Sequence, residues 1–112
     1  TMAKRLMGDE QLAMQICGVV VEEIPRQFAE LRRLVAAGDV HASERQAHTI
    51  KGAALNIGAE DLQAAAYELE VAARAGDRER INRLLPTMEE QLARVLAAYR
   101  QLTSLSQEKQ KT

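Results

Sequence analysis

The feature that most constrains the fold of this chain is a tripeptide that occurs twice, as Ala37-Gly38-Asp39 and as Ala75-Gly76-Asp77. Glycine readily adopts the left-handed conformation that ends a helix, and aspartate at the next position can cap a following helix. Each tripeptide therefore predicts the end of one helix and the start of another. Gly58, which follows Asn56-Ile57, supplies a third break. The three breaks divide the chain into four predicted helical segments.

Within each segment, apolar residues recur at spacings of three and four, which is the period of an amphipathic helix. The segments cover about residues 9–37, 39–57, 59–75 and 77–104. The positions expected to face a core are Ile24, Phe28, Leu31 and Val35 in the first segment; Val40, Ser43, Ala47, Ile50, Ala54 and Ile57 in the second; Leu62, Ala65 or Ala66, Leu69, and Ala72 or Ala73 in the third; and Ile81, Leu85, Met88, Leu92, Val95, Tyr99 and Leu102 in the fourth.

Short connections make consecutive helices run antiparallel, and a four-helix bundle buries all four apolar stripes within one chain. No stretch shows the alternation typical of strands. The predicted fold class is therefore all-α, an antiparallel up-down-up-down four-helix bundle. Pro25 should bend the N-terminal helix or split it into two helices in series. Pro86 should bend the fourth helix or mark its early restart.

The predicted bundle covers residues 9–105. Residues 1–8 are expected to form a short extra turn or to be disordered, and residues 106–112 are a polar tail that is expected to fray. A monomer is favoured because the chain can bury its own stripes.

Composition narrows the class of protein. The formal net charge is −1, and the 15 basic and 16 acidic residues are interspersed, so no nucleic-acid partner is expected. The single cysteine cannot form an internal disulfide. The longest apolar run, near Val19-Val20-Val21, is far shorter than the roughly 20 residues of a membrane-spanning helix, and no secretory leader is visible. We expect a soluble, cytoplasmic domain.

The second segment contains residues that a purely structural bundle does not need. His48 follows the core position Ala47 and lies about 100° further around the helix, on its flank. Lys51 and Gly52 lie three and four residues later on the same face. A glycine inside a helix costs about 1 kcal/mol of stability relative to alanine. The absence of a side chain at Gly52 is explained if another protein must approach the imidazole of His48 closely.

The stretch His48-Thr49-Ile50-Lys51-Gly52, with Gly58 ten residues after the histidine, resembles the histidine phosphotransfer (HPt) family pattern H-x-x-K-G. The two Gly-Asp junctions and the segment Glu22-Glu23-Ile24-Pro25 also look typical of that family. The resemblance covers nearly the whole chain and implies a four-helix phosphocarrier in a two-component phosphorelay.

The resemblance also implies roles for single residues. His48 would accept the phosphoryl group through Nε2, Lys51 would offset its charge, and Gly52 would admit the partner. The family often has Gln or Glu twenty-two residues after the histidine, here Glu70, which could accept a hydrogen bond from Nδ1–H. This Glu version is also similar to the phosphotransfer domain of chemotaxis kinases.

The implied partners are response-regulator receiver domains, with a histidine kinase in the same chain as a further candidate. The phosphoryl group would pass between a receiver aspartate and His48, with Mg²⁺ supplied by the receiver. The chain has no Gly-rich phosphate loop and no nucleotide-binding pattern, so we expect a carrier that is not itself an enzyme and has no cofactor of its own. Arg45, Leu55 and Arg74 are candidate partner contacts by proximity.

Other interpretations stay open at this stage. His48 alone could be an ordinary surface histidine, and the bundle could be an adaptor that binds partner helices without chemistry. An adaptor should tolerate His48→Gln, whereas a phosphocarrier should lose all function. His41, Glu44 and His48 share one helix face at spacings of three and four, but bundle metal sites usually gather ligands from several helices, so no metal is expected.

Overall fold

Four helices account for the part of the chain that the computed structural model describes, residues 10–111, with side chains described from 18 to 104. They are α1 (Glu10–Ala36), α2 (Val40–Asn56), α3 (Glu60–Arg74) and α4 (Arg78–Lys111). Each helix packs against the next, and α1 also packs against α4, which closes the bundle. The short connections make neighbours antiparallel, so the predicted all-α, up-down-up-down bundle is confirmed, with no strand among residues 10–111.

All three connections have the same backbone geometry, the Schellman motif, which ends a helix with a left-handed residue. At the first connection Gly38 has φ 74°, its N–H donates to the Val35 carbonyl over 3.0 Å, and the Asp39 N–H donates to the Leu34 carbonyl over 3.1 Å. The same pair of hydrogen bonds recurs at Gly58 and Gly76, whose φ angles are 71° and 70°. The three glycines therefore end helices as predicted.

The aspartates of the two repeated tripeptides cap the helices that follow. The Asp39 carboxylate accepts from the Ala42 N–H over 3.0 Å, and the Asp77 carboxylate accepts from the Arg80 N–H over 3.1 Å. Each bond satisfies one of the backbone donors that a helix N-terminus leaves free. Ala59, at the start of α3, makes no such side-chain bond.

Both prolines lie inside unbroken helices. Pro25 falls within α1 and Pro86 within α4, so the first helix is not split and the fourth does not restart. A proline in a helix interior removes one backbone hydrogen bond at a cost of about 3 kcal/mol. Ile24 and Phe28, on either side of Pro25, are buried in the same core, and burying two such side chains contributes about 3–6 kcal/mol. Packing therefore holds α1 together across its proline.

The core is formed mainly by the predicted stripes, with Val21 in addition. The fully buried side chains include Ile24, Leu31, Ser43, Ile50, Leu62, Leu69, Ile81 and Met88. The hydroxyl of Ser43 is satisfied within its own helix, because it donates to the Asp39 carbonyl over 2.7 Å.

The C-terminal part of α4 differs from the prediction. Leu102 is 59% exposed, although the heptad pattern placed it in the core. With 17 and 15 residues, α2 and α3 are about half as long as the 34-residue α4, so they do not reach the level of Leu102. α4 also continues to Lys111 through the residues predicted as a frayed tail, since 104–111 contain no helix breaker. Segment 1–8 lies outside the described residues.

Candidate functional site

His48 lies on the flank of α2, as the helical phase predicts. Its neighbours Ala47 and Ile50 are completely buried, whereas the His48 side chain is 65% exposed. The buried neighbours fix the rotation of α2, because turning the helix would expose them. The imidazole is therefore held at the surface by a rigid helix and not by a loop.

A buried carboxylate faces this exposed ring. Glu70 comes from α3, its side chain is only 6% exposed, and its Oε2 lies 3.2 Å from Nδ1 of His48. When Nδ1 carries the proton, it donates to Oε2, and the lone pair of the neutral ring is then on Nε2. This is the contact that the twenty-two-residue spacing implies.

Two cationic side chains also contact Glu70, one at each carboxylate oxygen. Lys51 Nζ lies 2.9 Å from Oε1, and Arg74 Nη2 donates to Oε2 over 3.0 Å. Arg74 also reaches back to α2, where its Nε lies 3.4 Å from Glu44 Oε1. A buried carboxylate is costly unless its charge is paired and hydrogen-bonded. Here Lys51 pairs with Oε1 as an ion pair without the alignment of a hydrogen bond, whereas Arg74 and His48 both meet Oε2.

These contacts govern the ionisation of Glu70. Burial is the largest single influence and raises its pKa, but close contacts and charge from Lys51 and His48 together outweigh burial, so the pKa is lowered from its ordinary value. Glu70 is therefore an anion at neutral pH, which makes it a hydrogen-bond acceptor only.

Gly52 lies one turn beyond His48, and its missing side chain leaves open space. Apart from its chain neighbours and the backbone of its own helix turns, a β-carbon built on Gly52 meets no atom of the protein within 4 Å. Gly52 has an ordinary helical conformation, without the positive φ of the three junction glycines. Neither packing nor backbone geometry therefore requires a glycine at this position.

Tyr67 is a residue of this surface that the sequence analysis did not identify. Its exposed ring lies under Lys51, with Nζ 5.3 Å from the ring centroid, a favourable cation–π distance. The ring and Glu70 together confine the ammonium beside His48. The available signal was the spacing, because Tyr67 precedes Glu70 by three residues and shares its face of α3.

The remaining candidate residues fall into two groups. Arg45 and Leu55 are exposed on α2, and Arg45 has no ion pair among the described side chains. Arg74 is engaged with two carboxylates, as described above.

Among the described residues, no cluster of three or more His, Cys, Asp or Glu side chains could hold a metal ion, and Glu44 pairs with Arg74 instead. No described helix is long and apolar enough to cross a membrane.

Comparisons with known proteins agree with this geometry. The family model described as Hpt domain matches residues 15–98. The crystal structure of histidine-containing phosphotransfer protein B (HptB) from Pseudomonas aeruginosa PAO1 is similar, with a TM-score of 0.82 and 29% sequence identity over 88% of this chain and 86% of that chain. A search of curated proteins found no match. Hpt domains are phosphocarriers rather than catalysts. Because the family model covers well over half of the sequence, the chain belongs to the Hpt domain family, and its function is histidine phosphotransfer in a phosphorelay.

Proposed function

We propose that His48 is the residue that carries the phosphoryl group. The observation that supports this assignment is the exposed imidazole whose Nδ1 faces the buried Glu70 carboxylate. The chain has one other histidine, His41, which is also exposed but has no ion pair with a carboxylate among the described side chains. Only His48 therefore has a partner that selects the tautomer needed for attack through Nε2.

The proposed transfer needs no reactant other than the aspartyl phosphate and the imidazole of His48. The Nε2 lone pair of the neutral ring attacks the phosphorus of an aspartyl phosphate, and the bond from phosphorus to the carboxylate oxygen breaks with its electron pair. The proton on Nδ1 stays in place, so the phosphorylated ring carries positive charge that Glu70 stabilises. In the reverse direction a second aspartate attacks, and neutral imidazole leaves with the electrons of the N–P bond.

Lys51 and Gly52 serve the partner side of the same step. The ammonium of Lys51 lies beside the ring and offsets the charge of the phosphoryl group when it arrives. The open surface at Gly52 lets the partner's backbone approach the ring. The role of Lys51 is supported by its contact with Glu70, which also faces His48, and the role of Gly52 is supported by the open space beside it.

The partner is a receiver domain, which brings the Mg²⁺ ion and most of the transition-state stabilisation. Arg45 and Leu55 are the proposed contacts to it, since Arg45 offers an unpaired charge and Leu55 an exposed apolar side chain two turns along α2 from His48. We further propose that the chain has no nucleotide site of its own and acts as a cytoplasmic monomer. A histidine kinase, in the same chain or separate, is the other class of partner.

The test is phosphorylation of the purified domain by a panel of receiver domains that acetyl phosphate has charged. We expect acid-labile, alkali-stable label on the wild type and on His41→Gln, and none on His48→Gln. His41→Gln is the matched control, because both histidines are exposed on α2. Label that survives in His48→Gln would contradict the assignment. An unlabelled wild type across the whole panel would favour an adaptor role.

A further inference from the structure

Arg74 has contacts that a partner-binding side chain at the edge of a docking surface does not need. Its guanidinium joins α3 to α2, with Nη2 on Glu70 Oε2 at 3.0 Å and Nε 3.4 Å from Glu44 Oε1. The oxygen that it contacts on Glu70 is the one that faces Nδ1 of His48. Arg74 therefore acts on the same acceptor atom as the reacting ring.

The two oxygens of Glu70 are held by different cations. Lys51 is at Oε1 and Arg74 is at Oε2. Cations at both oxygens restrain the plane of the carboxylate, whereas a carboxylate with Lys51 as its single cation can turn toward the ammonium. Because Oε2 is the oxygen that meets Nδ1, loss of Arg74 would free it to move away from the ring.

Arg74 is itself restrained by a second carboxylate, Glu44, as a positioning role requires. Its planar guanidinium offers several donors in a rigid arrangement, so Glu44 and Glu70 can be contacted together. Lysine at this position would offer one flexible ammonium and could not span both carboxylates in the same way. The side chain is 58% exposed, so its contribution to stability is small and its replacement leaves the core intact.

We propose that Arg74 is a positioning residue that, anchored by Glu44, holds Oε2 of Glu70 against Nδ1 of His48 and so keeps Nε2 free as the nucleophile. This role rests on the proposed function in one respect, that His48 is the reacting group. It differs from a partner contact because it operates in the isolated domain.

The tautomer of His48 is the most direct readout. The ¹⁵N chemical shifts of the two ring nitrogens, recorded where the ring is neutral, report which nitrogen carries the proton. We expect the Nδ1–H population to fall in Arg74→Gln and to return partly in Arg74→Lys. Arg94→Gln is the matched control, because Arg94 pairs with Glu90 one turn away on α4, far along the chain from this site.

A small phosphodonor separates positioning from docking. With phosphoramidate, Nε2 forms the N–P bond while the donor's own P–N bond breaks and ammonia leaves with those electrons, so no protein partner is involved. We expect this rate to fall about two- to fivefold in Arg74→Gln, the size of one partly exposed ion pair, and not to change in Arg94→Gln. Thermal unfolding of each variant checks that the bundle is intact.

Two results would overturn the inference. A wild-type tautomer and phosphoramidate rate combined with slower transfer from charged receivers would make Arg74 a docking contact. No change in any of these measurements would make it a solvated side chain. The tautomer measurement needs no phosphotransfer, so the positioning role and the assignment of His48 as phosphoacceptor can fail separately.

Discussion

Gly52→Ala should make the protein more stable and less active at the same time. An alanine methyl group at this position meets nothing within 4 Å beyond its chain neighbours and its own helix backbone, and the backbone there is helical, so the substitution causes neither a clash nor strain. Replacing glycine by alanine inside a helix then contributes about 0.4–1 kcal/mol of stability. For a domain of this size the midpoint of thermal unfolding should rise by about 2–6 °C.

Phosphotransfer from a receiver should respond in the opposite direction. The new methyl group lies one turn from His48 on the surface that the partner must approach, and a displacement of about 1 Å between reacting groups can slow a reaction by about a hundredfold. We expect transfer from charged receivers to slow by about tenfold or more. The rate with phosphoramidate should stay at the wild-type value, since this small donor does not need the open surface.

Gly18→Ala is the control for the stability effect. Gly18 also lies inside a helix, but a β-carbon there would run into the hydroxyl group of Tyr99. We expect this variant to gain less stability than Gly52→Ala, or to lose some, in urea unfolding. Unchanged receiver transfer in Gly52→Ala, or a loss of its stability, would refute the argument that this glycine serves partner access.

Three further predictions concern the fold and the buried carboxylate. Gly58→Ala should destabilise the bundle by about 1–2 kcal/mol in urea unfolding, because φ there is 71°; a neutral result would contradict the role assigned to this junction. Ile50→Ala, at a fully buried position, should cost about 2–5 kcal/mol in urea unfolding, and a loss below 1 kcal/mol would contradict the burial of this side chain in the core. The pKa of Glu70 is lower in the folded than in the unfolded chain, so its contribution is complete above its unfolded pKa and is lost as the pH falls through the folded value. The stability advantage of the wild type over Glu70→Gln should therefore shrink as the pH falls below the ordinary glutamate pKa of 4.5, and a constant difference would count against ionised Glu70 as a stabilising group.

The helix junctions and the phase of α2 could be predicted because they depend on neighbours in the chain. A Schellman motif and an N-cap together involve only a few consecutive residues, so Gly38 and Asp39 carry nearly all the information that the turn needs. The position of His48 beside Ala47 follows from the rotation of one helix. The family pattern adds Glu70 at its fixed spacing, and the structure brings that carboxylate to the ring.

Other features depended on how the helices are placed against each other. Pro25 does not interrupt α1, because the surrounding side chains are buried by the other helices. Leu102 keeps the heptad spacing yet stays exposed, because α2 and α3 end before its level. Neither outcome could be predicted from the local sequence pattern, because both depend on the lengths and contacts of neighbouring helices.

In the functional site too, some features follow from local sequence and others depend on tertiary contacts. Local sequence fixes which side of α2 carries His48, Lys51 and Gly52, because residues three and four apart share one face of a helix. The tertiary structure decides that Lys51 lies between Glu70 and Tyr67, and that Arg74 bridges two helices instead of pointing only toward a partner. These contacts join residues far apart in the chain, and they form only when two rigid helices meet at one register and rotation, which the packing of the whole bundle sets.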